Sequence, residues 1–474
     1  MKISVKNILT EIKGISANSR LIENGYAYVA MRGAKFNGED FIEEAVKRGA
    51  KYIILQNNNL HEDRNRANFI YVDNPRQTLS QLASSFYVPQ PANIVTVTGT
   101  NGKTSTANLF MQLTNTNHYK SAAIGTLGLT SFDALNGLED FLNHDSALTS
   151  PDSVTTNNIL YNLAKNNFTH VAIESSSHGL SQYRLDGINF KAAGFTNLSR
   201  DHLDYHGTMA AYFNAKKRLF SEVIGIGTTV VLNSDIPEFN EIYQLTKARG
   251  LKVIEYGKNA RDIRIIAKNN NTLKLALFGK KIESVVQLTG EFQLYNLTCA
   301  IGLSIGCGLN ESQLVSALPN LKSITGRVEK IAAANLRNDI FIDYAHTPDA
   351  LKKVLSDLKH VCNGRLILVF GCGGDRDQGK RQIMGIIAEE YADVNIVTDD
   401  NPRNEDPALI RKEIMASMKN PVEIGNRKEA IHYAISILQP QDIILIAGKG
   451  HENYQIIGNE KIYFSDREIV LSAV

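Results

Sequence analysis

The residues best suited to chemistry stand where apolar runs end. Thr98-Gly99-Thr100-Asn101-Gly102-Lys103-Thr104-Ser105 joins the strand-like run 94–97 to a helical pattern carrying Ala107, Phe110 and Met111. Glycines there let backbone N–H groups approach an anion, and the helix N-terminus adds a partial positive charge. Lys103 is then placed to reach nucleotide β/γ-phosphates, and the Thr104 hydroxyl to meet magnesium. The full phosphate-loop pattern needs glycine at position 97, where Val97 stands, so this is a shortened G-x-x-G-K-T form.

Other run ends carry ionisable groups. Glu174 follows the run 169–173 and suits support of a nucleotide-bound magnesium. Ser175-Ser176-Ser177-His178-Gly179, with Gln182 and Arg184, is dense in hydrogen-bonding groups. His202 and His206 have an H-x-x-x-H spacing, but no third firm ligand makes them a zinc site. A magnesium, phosphate or sugar site fits them better. Lys216 and Lys217 fall on a helical stretch, where a solvated charged face is the plainer reading. Gly371-Cys372-Gly373-Gly374-Asp375-Arg376-Asp377 and Asp399-Asp400-Asn401-Pro402-Arg403 each set an arginine beside carboxylates. A guanidinium fork grips a carboxylate and an aspartate holds an ammonium, so the pair suits an amino-acid zwitterion. Gly448-Lys449-Gly450-His451-Glu452 adds a further acid after the run 443–446.

Such loops need parallel strands to hold them, because ligands of open α/β sheets bind at the carboxyl ends of the strands. The chain has 474 residues, enough for about three domains. Residues 1–90 end in Val88-Pro89-Gln90-Pro91, which reads as a linker. Strand-like runs then recur at 94–97, 169–173, 191–195 and 229–232, and again at 340–342, 366–370, 394–397 and 443–446. The expected division is 1–90, 91–325 and 326–474. The fold class is α/β: a small α/β N-terminal part, a central mostly parallel sheet of the phosphate-loop ATPase kind, and a Rossmann-like C-terminal part. Lys and Arg total 51 against 49 Asp and Glu, a net charge of +2, so bulk charge offers no hold on nucleic acid or anionic membrane. The four cysteines form no C-x-x-C pair. Residues 1–16 lack a signal-peptide core, and no run of about 18 apolar residues occurs. A cytoplasmic protein without membrane insertion is expected.

Taken together, SR…GYAYVAMRG, TGTNGKTS, ESSSHGL, TNLSRDHLDYHG, LTGEFQLYN, TGRVE, DYAHTPDAL, FGCGGDRDQGKR, TDDNPRNEDP and AGKGHE resemble the Mur ligases, the ATP-dependent amide ligases of peptidoglycan synthesis. The likeness spans essentially the whole chain and is strongest to the branch that adds diaminopimelate. GTNGKT alone fits the wider group that includes folylpolyglutamate synthases, whereas SRDHLDYHG with GCGGDRD and DNPR is more specific.

The resemblance implies ligation of meso-diaminopimelate to UDP-N-acetylmuramoyl-L-alanyl-D-glutamate through an acyl phosphate, with ATP and magnesium, by a monomer. It implies that Gly99, Thr100, Asn101, Gly102, Lys103, Thr104 and Ser105 cradle ATP, with Asn296, Arg327 and Asp343 also on the nucleotide. Thr104, Glu174 and His202 are implied for magnesium, together with Lys216 in carbamylated form. Ser19 is implied at the uridine end, and Thr149, Ser150, Ser176, Gln182 and Arg184 at the muramoyl-dipeptide. Arg376, Asp400, Asn401, Pro402, Arg403, Gly448 and Glu452 match the diaminopimelate pocket. Lysine-adding relatives usually lack the arginine of DNPR. Asn18 and Ser150 depart from the usual Asp and Thr of the pattern, both polar exchanges. His346 or His202 is expected to take the proton of the attacking amine. A lysine-adding enzyme, a folylpolyglutamate synthase and an ATP-binding switch are the competing readings.

Overall fold

In the computed structural model, residues 8–33, 36–56, 67–135, 137–138, 149–269, 271–332 and 338–473 are described. Residues 1–7 of the segment read above for a signal peptide lie outside them. Three separate sheets organise the chain. The first holds Gly14–Ser16 (β1), Tyr26–Val29 (β2), Tyr52–Gln56 (β3) and Asn68–Val72 (β4), parallel throughout and in sequence order. The helix Pro75–Phe86 closes it, capped by Asn74, whose side chain accepts from Gln77 N, with Pro75 at the first turn.

The second sheet has ten strands: Asn93–Thr98 (β5), Ser121–Gly125 (β6), Gly128–Ser131 (β7), His170–Glu174 (β8), Phe190–Phe195 (β9), Thr229–Asn233 (β10), Lys252–Gly257 (β11), Ile263–Asn269 (β12), Thr272–Leu277 (β13) and Lys280–Val285 (β14). Their order is β14-β13-β12-β11-β10-β9-β5-β8-β6-β7. The order reverses at β5, with β9 on one side and β8 on the other, and both pair parallel to it. The phosphate loop leaves β5 at this switch point, where the flanking loops diverge and open a crevice. The helices Lys103–Thr116 and Glu291–Gly306 pack on each other and on the sheet.

The third sheet contains Glu329–Ile331 (β15), Asp339–Asp343 (β16), Leu366–Phe370 (β17), Val394–Val397 (β18), Val422–Glu423 (β19) and Ile443–Ala447 (β20), in the order β15-β16-β20-β17-β18-β19. Strands β16, β20, β17 and β18 are parallel neighbours. The loops DYAHTP, AGKGHE, GCGGDRD and TDDNPR therefore leave one edge side by side. Two of them run into capped helices: Thr347 accepts from Ala350 N with Pro348 at the first turn, and Asp406 accepts from Ala408 N with Pro407 there.

The expected three-part α/β arrangement is the one observed, and every expected strand from 94 onward is a strand. Past residue 94, strands β6, β7, β11–β15 and β19 were not read from sequence. Strand β6 is Ser-Ala-Ala-Ile-Gly, fully buried but nearly without large apolar residues. Strand β12 alternates buried and exposed positions, so it presents no continuous apolar run.

His170 begins β8 and is only 3% exposed, with its ring 4.4 Å from that of Tyr119. Its Nε2 faces Asn93 Nδ2 at 3.1 Å and its Nδ1 faces Thr169 Oγ1 at 2.9 Å, a pattern suited to neutral imidazole. Burial lowers its pKa from 6.5 to about 4. The unfolded chain then binds an extra proton between those values, so this contribution is complete above pH 6.5 and is lost as pH falls toward 4. The shift corresponds to roughly 3 kcal/mol. Thermal melts should show a shallower acid loss for His170→Gln than for the wild type. Equal slopes would remove His170 from the acid response.

Candidate active site

Two backbone features shape the phosphate loop. Gly99 (φ 147°) passes so close to β9's end that a Cβ would sit 1.9 Å from Thr196 Oγ1. Gly102 (φ 87°) caps the helix Lys103–Thr116, and a Cβ there would fall 2.2 Å from Asn296 Oδ1. Both positions demand glycine on conformation as well as space. Lys103 Nζ donates to Gly99 O (2.9 Å) and Thr100 O (2.8 Å), so the ammonium lies folded across the loop. Burial pulls its pKa down, opposed by Glu174 and Asp201.

Glu174 ends β8, is 1% exposed, and accepts from Thr126 N (2.9 Å), Thr126 Oγ1 (3.1 Å) and Thr104 Oγ1 (3.0 Å). Arg327 crosses from the third sheet, and its Nη2 donates to Thr104 Oγ1 at 2.9 Å. Its guanidinium lies 4.5 Å from the Tyr344 ring centroid, while the buried Nε finds no partner among the described residues. That orphaned donor marks a place for an anion.

Lys216 is not on a solvated face. It is 1% exposed, and its Nζ donates to Gly99 O at 2.7 Å and lies 4.4 Å from the Tyr212 ring centroid. Burial lowers its pKa well below the ordinary value, and the nearby Lys103 charge adds to this. The plainer reading failed because Tyr212 and Lys216, four residues apart, share the inward face of the helix Met209–Arg218. His202 stands at φ 53° before a short helix, its Nε2 3.3 Å from Asp201 Oδ2. Burial brings its pKa down to about 4, so it is neutral at neutral pH.

The residues expected for the dipeptide portion form one network beside Glu174. Thr149 Oγ1 accepts from Thr126 Oγ1 (3.2 Å), and Ser150 Oγ donates to Glu174 O (2.8 Å) and Ser176 Oγ (3.0 Å). Arg184 Nη2 donates to Gln182 Oε1 (2.7 Å), and Gln182 Nε2 to the Tyr205 hydroxyl (3.1 Å). Ser19 is separate, in the first sheet's layer, with its hydroxyl donating to Glu44 Oε2 at 2.7 Å.

A cavity of about 350 Å³ runs from the phosphate loop to the third sheet, walled by Gly102, Ser105, Asn296, Arg327, Asp343 and His346 among others. Asp343 contributes through the backbone: its carboxylate accepts from Val328 N and Ala345 N, each at 2.7 Å, pinning the strand that presents Arg327. The far wall includes Phe292 and Tyr295, which the sequence reading passed over although they flank Asn296 on one helix. Opposed contacts tie the two sheets together here. Arg200 pairs with Asp377 (2.9 Å), and Asn101 Nδ2 donates to Asp349 Oδ2 (3.0 Å).

The acceptor loops also converge. Asp400 and Asn401 are buried, and Glu452 Oε2 accepts from Asn401 Nδ2 at 3.0 Å. Gly448 (φ 112°) lets the β20 loop pass Asp400, whose Oδ2 would lie 2.5 Å from a Cβ. Pro402, buried, leads into Arg403 at φ 53°, with Arg403 Nη1 donating to Gly374 O at 2.8 Å. Arg376 is exposed and donates to its neighbour's carbonyl, Asp375 O.

The charge pattern is informative. Arg365, Arg381, Arg411, Arg427 and Arg467 each pair with a carboxylate. Arg376 and Arg403 have no ion pair among the described residues, and each lies in the other's field, where Arg376 helps lower the pKa of Arg403 after burial. Two adjacent unpaired guanidiniums are a ready site for a carboxylate. Lys449, absent from the expected site, lies fully buried among Asp400, Asn401 and Glu452. Its only sequence signal was a position between two glycines at a strand end.

Family comparisons agree with this layout. The description "Mur ligase family, catalytic domain" matches residues 11–87, "Mur ligase middle domain" 97–304, and "Mur ligase, glutamate ligase domain" 326–450. A UDP-N-acetylmuramoyl-L-alanyl-D-glutamate–2,6-diaminopimelate ligase of Bradyrhizobium diazoefficiens is 43% identical over 98% of this chain and 95% of that protein. One of Rickettsia bellii is 40% identical over 97% and 95%. A solved structure of a ligase of that name superposes with TM-score 0.71 and 32% identity, covering 100% and 99% of the two chains. The fold extends to Mycobacterium tuberculosis folylpolyglutamate synthase, at TM-score 0.64 and 19% identity over 79% of this chain and 92% of that one. With all three of its domain descriptions matched in order and whole-length relatives at this identity, the chain belongs to the Mur ligase family.

Proposed function

We propose that this protein ligates meso-diaminopimelate to UDP-N-acetylmuramoyl-L-alanyl-D-glutamate with conversion of ATP to ADP and phosphate, in peptidoglycan synthesis. The observation that carries the reading is the Arg376/Arg403 pair, without ion pairs among the described residues, beside buried Asp400 and partly buried Glu452, a pocket for an acceptor with a distal zwitterion. The assignment divides the chain at 1–90, 91–325 and 326–474, with sugar nucleotide, ATP and amino acid taken in that order. Among the described residues no helix is long and apolar enough to cross a membrane.

A carboxylate resists attack by an amine because oxide is a poor leaving group. In the proposed reaction its oxygen attacks the γ-phosphorus of ATP, ADP departs, and an acyl phosphate forms. The amine then attacks the carbonyl carbon and phosphate leaves. Catalysis of the first step is positioning and charge neutralisation. Lys103 and Arg327 supply the cations, Gly99 and Gly102 the close backbone approach. Thr104 and Glu174 are hard oxygen donors 3.0 Å apart and fit magnesium, with His202 and a carbamylated Lys216 as further ligands. The ion when bound would neutralise phosphate charge. Lys216 fits modification because only an uncharged amine forms a carbamate, and its pKa is lowered.

The attacking amine must be neutral and its proton must leave. His346 Nδ1 donates to Tyr344 O at 2.8 Å, which leaves Nε2 as the acceptor, and burial lowers its pKa. His202 is neutral as well, and its Nδ1, free of hydrogen bonds among the described residues, serves the ion rather than the proton. Arg200–Asp377 and Asn101–Asp349 join the two sheets, and full closure over bound substrates would keep out water that hydrolyses the acyl phosphate.

The test is an amino-acid panel with the UDP-dipeptide and ATP, following phosphate release and product mass. Meso-diaminopimelate should support turnover well above L-lysine. Preference for L-lysine would make the protein a lysine-adding ligase, and ATP binding without amino-acid-dependent phosphate release would leave only a switch.

A further inference from the structure

Lys449, just after β20, is 0% exposed. Its Nζ donates to Asn401 Oδ1 (3.0 Å) and Glu452 Oε2 (3.2 Å) and lies 3.8 Å from Asp400 Oδ1. Asn401 Oδ1 also accepts from Ile456 N (3.0 Å), while its Nδ2 donates to Glu452 Oε2 (3.0 Å). Flipping that amide would point an NH₂ group at an ammonium and at an N–H, so Lys449, Ile456 N and Glu452 together fix its orientation. A fully buried lysine is costly, and removing it alone would strand the carboxylates of Asp400 and Glu452 that it faces.

We propose that Lys449 is a positioning residue of the acceptor pocket: it balances one of the two carboxylates of Asp400 and Glu452 and helps fix the Asn401 amide, leaving one net negative charge for a substrate ammonium group. The inference rests on the reading that these residues hold the incoming amino acid. Two carboxylates and one ammonium leave a charge of one, which matches a single amino group. The unpaired Arg376 and Arg403 then take the companion carboxylate.

Among the described residues, Arg403 and Arg427 also lie in the field of Asp400 and Glu452, but neither makes an ion pair with them. Arg427 is bound to Asp466 at 2.8 Å, and Arg403 Nη1 is on backbone carbonyls. His451 is brought down to about 3 by burial and is neutral, and the Tyr344 and Tyr454 hydroxyls are raised by burial and by Glu452. Burial and Asp400 push the Glu452 pKa up, while Lys449 and Asn401 hold it down. Without the ammonium, Glu452 needs a higher pH to ionise, and the substrate ammonium loses its partner below that pH.

The experiment compares wild type, Lys449→Met and Lys449→Gln as full chains, measuring kcat and the KM values for diaminopimelate and ATP across pH. Both variants should raise the diaminopimelate KM about tenfold at neutral pH, the scale of one weakened ion contact. The KM should recover as pH rises, with kcat and the ATP KM changed less than about twofold. Restoration of the KM by Gln would show that hydrogen bonding suffices and would overturn the proposal. So would an unaltered pH profile, a lowered KM, or loss of the folded state in both variants, which would make the role structural. Wild-type protein that fails to use diaminopimelate would instead overturn the functional reading.

Discussion

Lys103→Ala lowers kcat for ligation by about 10³-fold or more, the scale on which a single phosphate-directed cation acts in phosphoryl transfer. The ammonium now spans the carbonyls of Gly99 and Thr100, at the mouth of a loop whose glycines admit phosphate oxygens. Charge grows on the bridging and leaving oxygens as the γ-phosphoryl departs, so a cation fixed there stabilises the transition state more than the bound nucleotide. The ATP KM should change less than kcat for that reason. Lys103→Arg should rescue little, because a longer planar fork cannot occupy the place of a compact ammonium between two carbonyls. Steady-state kinetics with a melting-temperature control measures this. Wild-type ligation by the alanine variant would remove Lys103 from the phosphate site.

Arg403→Ala should lower kcat/KM for meso-diaminopimelate by about 10²- to 10³-fold, the cost of stranding a desolvated carboxylate without its partner. L-Lysine has no distal carboxylate and should be affected far less, so discrimination between the two should collapse. The argument is local. Five arginines of the C-terminal part are committed to Asp or Glu, whereas Arg403 donates to backbone carbonyls and shares its surroundings with Arg376, which has no ion pair among the described residues. Its backbone at φ 53° is held by the strap that follows: Arg403 N donates to Ile456 O and Gly458 N to Arg403 O. Arg403→Lys should restore only part of the loss, since an ammonium cannot grip a carboxylate with two parallel bonds. Competition assays with both amino acids read the ratio directly. An unchanged ratio would place the selective contact elsewhere, with Arg376 the next residue to change.

The sequence determined the α/β class, the phosphate loop and the loops that bear chemistry, because buried parallel strands are short continuous apolar runs and their following loops are polar. Alternating strands such as Ile263–Asn269 stayed hidden, as did Ser121–Gly125, whose small side chains carry no apolar signal. Spacing along the chain also could not say which charges are spent. Arg376 and Arg381 look alike in sequence, yet one is exposed without an ion pair and the other holds Glu405 and Glu413. Lys216 reads as a surface lysine until its helix is docked against the phosphate loop, and Lys449 is marked only by its place between two glycines at a strand end. Burial, and with it pKa and the pairing of charge, depends on what arrives from distant segments. Only the docking of a helix on the phosphate loop, for Lys216, and the convergence of the third sheet's loops, for Lys449, decided those roles.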